Sequence, residues 1–185
     1  MNVFLTGGSS GIGAKFKDHL VEQGYNVTAP TRSELDLSNF NINDVELKDY
    51  DYLILCAGVD THGRQPFFKL KEEDFLNTVN VNLLSNMRLI HKYIQQRHFK
   101  HWSKIIVIGS TVIDYIWPNF VAYGTSKVAL DAFLESLDRE LNDNIGITRI
   151  HPGLTKTNFH FNGGNGPLEE AEKRSEEHTS ELQSH

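Results

Sequence analysis

The chain has 185 residues, 39% of them hydrophobic, which fits one globular domain that buries roughly 70% of the surface its unfolded chain would expose. The formal charge is −6, but Glu169 to His185 holds six acids against two bases and the remainder 18 against 16; the body is nearly neutral and offers nothing to a nucleic-acid backbone or an anionic membrane. The one cysteine, Cys56, excludes an internal disulfide and suits a reducing compartment; with no basic-then-apolar leader and no run of ~18 apolar residues, a cytoplasmic location is expected.

Asn2 to Thr6 (NVFLT) reads as a short buried strand. The loop TGGSSGIG, Thr6 to Gly13, follows, and then Ile12, Phe16, Leu20 and Val21 recur at helical spacing. Strand, glycine loop and helix together make a pyrophosphate site. Glycines let the backbone approach, and the amides and dipole at the helix start hold the anion. Gly24 closes the helix, and Tyr25 to Ala29 predicts a second strand. Where dinucleotide-binding folds put an acid on the adenosine ribose, about 20 residues past the loop, this chain has Thr31, Arg32 and Ser33, with Glu34 close by. A neutral residue followed by a guanidinium suits a 2′-phosphate, so NADP is favoured over NAD.

Ser33 to Leu37 (SELDL) predicts a short third strand. It begins too soon after the second for a parallel crossover, which needs a dozen residues or more, so the usual connecting helix is expected to be missing. Asp36 faces either an adenine or solvent. Asp51 to Ala57 (DYLILCA) predicts a fourth strand ending at Gly58, and Ala57 and Gly58 would let the backbone pass close to a cofactor. Cys56 reads as a small core residue, since its neighbours are apolar and no basic partner is in view. A long helix is predicted over Glu72 to Gln96, with Phe75, Val79, Leu83, Met87 and Ile90 at helical spacing. Asn80 and Asn82 sit in its middle, where asparagine has poor propensity. They imply a bend, an interhelix contact or a water-holding link in a proton relay.

Ile105 to Ile108 predicts the central strand, followed by STVIDYIWPNFVAYGTSK, Ser110 to Lys127. Tyr123 and Lys127 are four apart and share a helix face. A fixed positive charge beside a phenol lowers its pKa from about 10 and fits it for proton transfer near neutral pH. Ser110, at the strand end, could hold a carbonyl oxygen. The helix is predicted over Ala122 to Leu141, packing through Val128, Phe133, Leu134 and Leu137. Gly146 to Ile150 predicts a sixth strand, ended by His151-Pro152-Gly153, with Thr155 and Thr157 beyond. His151 reads as structural rather than as a base, and the scattered histidines show no metal-ligand spacing.

Strands alternating with helices argue an α/β fold, a Rossmann-type doubly wound parallel sheet in three layers. Four motifs in register resemble a short-chain dehydrogenase/reductase of the smaller single-domain subgroup: Thr6-Gly7-x-x-x-Gly11-Ile12-Gly13, Ala57-Gly58, Tyr123-x-x-x-Lys127 and Pro152-Gly153. The resemblance implies hydride transfer between NADP(H) and a carbonyl/alcohol pair of a small-molecule substrate. It implies Tyr123 as general acid/base and Lys127 as the residue that lowers the tyrosine pKa and binds the nicotinamide ribose. Ser110 would orient the carbonyl and Asn82 would hold a relay water. It further implies Gly7, Gly8, Ser9, Ser10, Gly11, Ile12 and Gly13 as the pyrophosphate loop, and Asp36 and Leu37 as the adenine pair. Arg32 would meet the 2′-phosphate, Cys56, Ala57, Gly58, Pro152 and Gly153 would lie against the cofactor, and Thr155 and Thr157 beside the nicotinamide and its phosphates. A homo-dimer or homo-tetramer is implied for the full-length form.

Cys56 stands where the family usually has asparagine. Residues 1–160 are assigned to the dinucleotide-binding domain, 161–173 to the start of a substrate lid, and 174–185 to a non-native disordered tail. That tail, RSEEHTSELQSH, resembles the translation of a sequencing-adapter oligonucleotide, so the natural reading frame is expected to continue past about Lys173. Two other functions fit parts of the pattern: a nucleotide-sugar epimerase or reductase of the extended subgroup, and a non-catalytic NADP sensor.

Overall fold

The computed structural model describes residues 1–61, 65–96, 102–115, 117–141, 144–153, 155 and 159. Five parallel strands form one sheet in the order β2-β1-β3-β4-β5. They are β1 (Asn2–Thr6), β2 (Asn26–Thr28), β3 (Tyr52–Leu55), β4 (Ser103–Ile108) and β5 (Ile145–Ile150). The helices are α1 (Gly11–Glu22), α2 (Glu72–Val79), α3 (Ser85–Gln96) and α4 (Val121–Glu140). The order reverses at β1, which lies between β2 and β3, and open α/β sheets bind ligands outside the carboxyl ends of the strands at such a point.

The strands are short apolar runs because both faces are covered. Side chains alternate between two clusters. Val3, Leu5 and Ile54 point to one face, where Phe16 and Leu20 of α1 pack. Phe4, Leu53, Leu55, Ile105 and Val107 point to the other, beneath Leu89, Ile90 and Tyr93 of α3 and Leu130 and Leu134 of α4. Among the described residues, no helix is long and apolar enough to cross a membrane.

The strand expected at Ser33–Leu37 does not form, so the sheet has five strands rather than six among the described residues. Its backbone donors are used locally. The N–H groups of Glu34 and Leu35 both close on the Thr31 carbonyl, and that of Ser38 goes to the Asp36 carboxylate at 3.0 Å. The expected loss of the crossover helix does hold: residues 31–50 contain one turn of 3-10 helix, Ile42–Asp44, and no α-helix. This segment still packs like a layer, since Leu35, Leu37, Phe40 and Ile42 lie on the α3/α4 face and Val45 and Leu47 are buried in it.

The long helix predicted over Glu72–Gln96 is interrupted at Asn80–Leu84 by one turn of π-helix. This is where the two mid-helix asparagines fall, and π-bulges inside helices are frequent at functional sites.

Candidate active site

The carboxyl ends of β1 and β3 form a glycine cradle. Gly7 has φ +73, and a Cβ built there would stand 2.7 Å from the Ala57 nitrogen. Gly13, in the first turn of α1, packs so tightly on the Gly7 carbonyl that a side chain has no room. Thr6, buried at the end of β1, binds the loop to β3: its Oγ1 accepts from the N–H groups of Cys56 at 3.2 Å and Ala57 at 3.3 Å. Ser9, Ser10 and Gly11 are exposed, and Ile12 is half-buried. Ser10 caps α1 in an extended conformation with no side-chain bond to the first turn. The cradle a Cβ would fill and the uncapped amides of α1 fit the pyrophosphate of a dinucleotide.

At the end of β2, Gly8 leans on Ala29; a Cβ on Gly8 would lie 2.8 Å from the Ala29 Cβ. Beyond Ala29, Thr31 and Glu34 close a turn. Arg32 is 78% exposed and its Nε lies 3.9 Å from the Asp36 carboxylate. Asp36 accepts from the Ser38 hydroxyl at 2.7 Å and the Ser38 N–H, and these bonds hold its carboxyl below the usual range. The Asp36 carboxylate is thus engaged in its own loop. Leu37 packs toward the core.

Behind the end of β3, Asn82 is fully buried in the π turn. Its amide clasps one residue of the β3 loop in both directions, accepting from the Val59 N–H and donating to the Val59 carbonyl, each at 2.8 Å. It also donates to the Ser126 Oγ at 3.1 Å, and Ser126 donates to the Tyr123 carbonyl at 2.7 Å. The Asn82 amide thus joins the β3 loop to α4. A Cβ on Gly58 would lie 3.4 Å from the Asn82 Oδ1 and 3.5 Å from the Lys127 Nζ, ordinary contact distances that place Gly58 beside both side chains. Cys56 does have a basic neighbour, the Lys127 ammonium, contrary to expectation, but burial outweighs it and pushes the thiol up to about 11.

Ser110, at the end of β4, accepts from the Val112 N–H at 3.2 Å and hydrogen-bonds the Tyr123 phenol. Lys127 is buried, donates to the Ile108 carbonyl at 3.1 Å, and holds its Nζ 5.8 Å from the centre of the Tyr123 ring. Ser110, Tyr123, Lys127, Gly58 and Asn82 therefore come together. Their electrostatics differ from the simple picture of a lysine acidifying a phenol. Burial pushes the Tyr123 pKa above its ordinary value and nearby Asp60 pushes the same way, against the Ser110 hydrogen bond. Phe120 and Phe159 flank the phenol, each with ring centres at 5.8 Å. Burial also brings the Lys127 ammonium down to about 8.

After β5, His151 lies against Gly109, where it leaves no room for a side chain, and its Nε2 is 3.3 Å from Asp131 of α4. Pro152 accepts from the Thr111 N–H at 3.3 Å, which ties this turn to the Ser110 turn. Thr155 donates to the Gly153 carbonyl at 3.0 Å. Thr157 lies outside the described residues, as do residues 161–173 and 174–185. Sequence reading missed Asp60, Ser126 and Phe159. Of these, Ser126 carried a signal: a small polar residue beside Lys127, on the turn after Tyr123.

A family model described as short chain dehydrogenase matches residues 40–163. An uncharacterized oxidoreductase of Mycobacterium tuberculosis is 30% identical over 84% of this chain and 55% of its own length. The chain spans about half the length of the first curated relatives it matches. Among solved structures, a 4-hydroxyisoleucine dehydrogenase complexed with NADH has a TM-score of 0.75 at 25% identity, over 84% of this chain and 76% of that one. A short chain dehydrogenase of Escherichia coli complexed with NADPH has a TM-score of 0.77 at 17% identity, over 91% of this chain and 83% of that one; at that identity the likeness concerns the fold.

Proposed function

The chain belongs to the short chain dehydrogenase family, and from that premise we propose that it serves an oxidoreductase moving a hydride between NADP(H) and the carbonyl/alcohol pair of a small molecule. The observation that carries the proposal is the meeting of Ser110, Tyr123 and Lys127 beside the glycine cradle. The nicotinamide supplies or accepts the hydride when bound. The protein's own groups manage the rest. Gly7, Gly13 and the start of α1 hold the pyrophosphate. Ser110 orients the substrate oxygen by hydrogen bonding. Tyr123 gives its phenolic proton to that oxygen during reduction and takes it back during oxidation. A phenol kept protonated by burial is the form that a reduction needs. Lys127, with its ammonium held by the Ile108 carbonyl, stabilises the phenolate left behind and offers a donor to the nicotinamide ribose. Asn82 keeps the β3 loop and α4 in register around these groups.

Preference for NADP(H) over NAD(H) is supported by Arg32 at the end of β2, where no acid stands at the first loop position. In the same reading residues 1–160 form the cofactor-binding domain, and the full-length form assembles as a cytoplasmic homo-dimer or homo-tetramer.

The test is Tyr123→Phe. Turnover of carbonyl substrates should fall by about 10²- to 10⁴-fold, the range of general acid–base contributions, with NADPH affinity kept. A parent chain that binds NADPH yet turns over none of a broad carbonyl panel would count for a sensor instead.

A further inference from the structure

We infer that Asp131 is a positioning residue for the Ser110–Tyr123 pair: through His151 and Arg149 it ties the helix that carries Tyr123 to the strand end that holds the Ser110 turn. For its chemical meaning the inference rests on the roles given to Ser110 and Tyr123 above.

Tyr123, Lys127, Asp131 and Glu135 follow one another at intervals of four on α4 and so lie along one ridge of the helix. Tyr123 meets Ser110 just past β4, and Lys127 donates to the Ile108 carbonyl at 3.1 Å. Asp131 is the next residue of the ridge, and it reaches β5 instead. One nitrogen of Arg149 donates to both of its carboxylate oxygens, each at 3.2 Å, and the His151 Nε2 lies 3.3 Å from its Oδ1. Glu135 adds a longer ion pair to Arg149 at 3.9 Å. The Asp131, Arg149 and His151 side chains are 20%, 33% and 25% exposed, so solvent screens them less than it does an open surface pair. The end of β5 in turn brackets Ser110. The Gly109 N–H donates to the Ile150 carbonyl at 2.7 Å, and the Thr111 N–H donates to the Pro152 carbonyl at 3.3 Å. The residues on either side of Ser110 are thus fixed by the residues on either side of His151. The His151 ring fills the space over Gly109. Its Nδ1 is buried with no hydrogen-bond partner among the described residues, so Asp131 supplies the polar contact that orients the ring. The contacts form a closed circuit: Ser110 turn, β5 end, Asp131, α4, Tyr123 and back to Ser110.

An ordinary stabilising ion pair is the simpler role for Asp131. Its place on the helix argues for more. Lys127 stands in the middle of the ridge as a fulcrum, with Tyr123 and Asp131 about one turn, or roughly 6 Å, to either side. A tilt that lifts the Asp131 end by about 1 Å carries Tyr123 about as far the other way, enough to take two hydroxyls out of hydrogen-bond range. Leu130 and Leu134 seat α4 in the core, but apolar contact is non-directional and does not by itself set the tilt. The bonds from Arg149 and the contact with His151 are directional, and they act on the side of the fulcrum opposite Tyr123.

The experiment is NMR of the 185-residue chain labelled with carbon-13 at the tyrosine Cζ, near neutral pH, with Tyr123→Phe identifying the Tyr123 resonance. The carbon that bears the phenol oxygen reports the hydrogen bonding of that oxygen, so Ser110→Ala gives the displacement expected when the bond is lost. Asp131→Leu should displace the resonance in the same direction by at least about half as much, and should add less than about a quarter of that in the Ser110→Ala background, because residues acting through one bond are not additive. Asp131→Asn keeps the size and an oxygen facing His151, and should stay nearer to wild type than Asp131→Leu does. His151→Ala breaks the same link from the β5 side, should act as Asp131→Leu does, and carries the test if Asp131→Leu does not fold. A Tyr123 resonance that the folded variant leaves at its wild-type position, or moves equally with and without Ser110→Ala, overturns the inference and leaves the family reading standing. So does a Ser110→Ala variant whose Tyr123 resonance is unmoved, since the bond to be positioned is then absent. NADPH titration of the wild type, run alongside, tests the oxidoreductase reading by itself: a chain that binds no NADPH overturns that reading, while the resonance decides the positioning.

Discussion

Burial in the site imposes an energetic cost on Lys127. Its ammonium is buried and brought down to about 8, against about 10.4 for a free lysine. A folded pKa below the unfolded one means that the unfolded chain binds more protons between those values, so stability rises with pH from about 8 to 10.4. Below pH 8 the penalty is present in full, on the order of 3 kcal/mol. Lys127→Met removes the charge at similar volume and gives up the bond to the Ile108 carbonyl. We expect it to raise stability at pH 7 by about 1–3 kcal/mol, with the gain shrinking toward pH 10. Urea unfolding at both pH values checks this, and a Met variant weaker than wild type at pH 7 would refute it. The Tyr123–Lys127 pair was legible in the sequence because four residues on a helix fix a shared face. Its electrostatics were not, because the burial of Tyr123 comes from side chains such as Phe159, brought in from another part of the chain.

Among the elements, the π turn at Asn80–Leu84 does most to join the two halves of the site. The sequence hinted at it through two asparagines placed where helices disfavour them. What the sequence could not supply was the partner, since Val59 and Ser126 are distant in the chain and are reached only once α2 and α4 pack. Asn82→Ala would strand the Val59 N–H and carbonyl and free Ser126. We expect a loss of about 2–4 kcal/mol and a weaker grip on NADPH, because the β3 loop carrying Gly58 loses its clasp. Urea midpoints with and without NADPH measure both effects, and an Asn82→Ala variant with wild-type stability would mean that the clasp is idle. The misread element, Ser33–Leu37, failed for the converse reason. Its alternation of acids with Leu35 and Leu37 imitates a strand, yet short-range bonds to Thr31 and Asp36 consume the donors a ladder would need.

For the whole molecule, the open question is how a parallel sheet tolerates a crossover without a helix. The segment after β2 replaces the helix by burying Val45 and Leu47 and packing Leu35, Leu37, Phe40 and Ile42 against the α3/α4 face. It is held at its far end by α3: the Leu47 N–H donates to the Gln96 side chain at 2.8 Å, and the Tyr93 hydroxyl lies 3.0 Å from both the Tyr50 and Asp51 carbonyls, which share its one proton. The Thr31–Asp36 rim of the proposed cofactor site therefore rests on the same core as β1 and β3. Leu47→Ala tests that continuity. Leu47 is completely buried, and truncation should cost about 2–5 kcal/mol, roughly 6–15 °C in melting temperature for a domain of this size. The exposed Val21→Ala on α1 should stay within about 0.5 kcal/mol. Far-ultraviolet dichroism and tryptophan fluorescence should report a single coincident transition for the Leu47 variant, shifted as a whole. A midpoint left unchanged would mean that the segment lies over the sheet without joining its cooperative unit, and the Thr31–Asp36 rim would then have to be ordered by the dinucleotide itself.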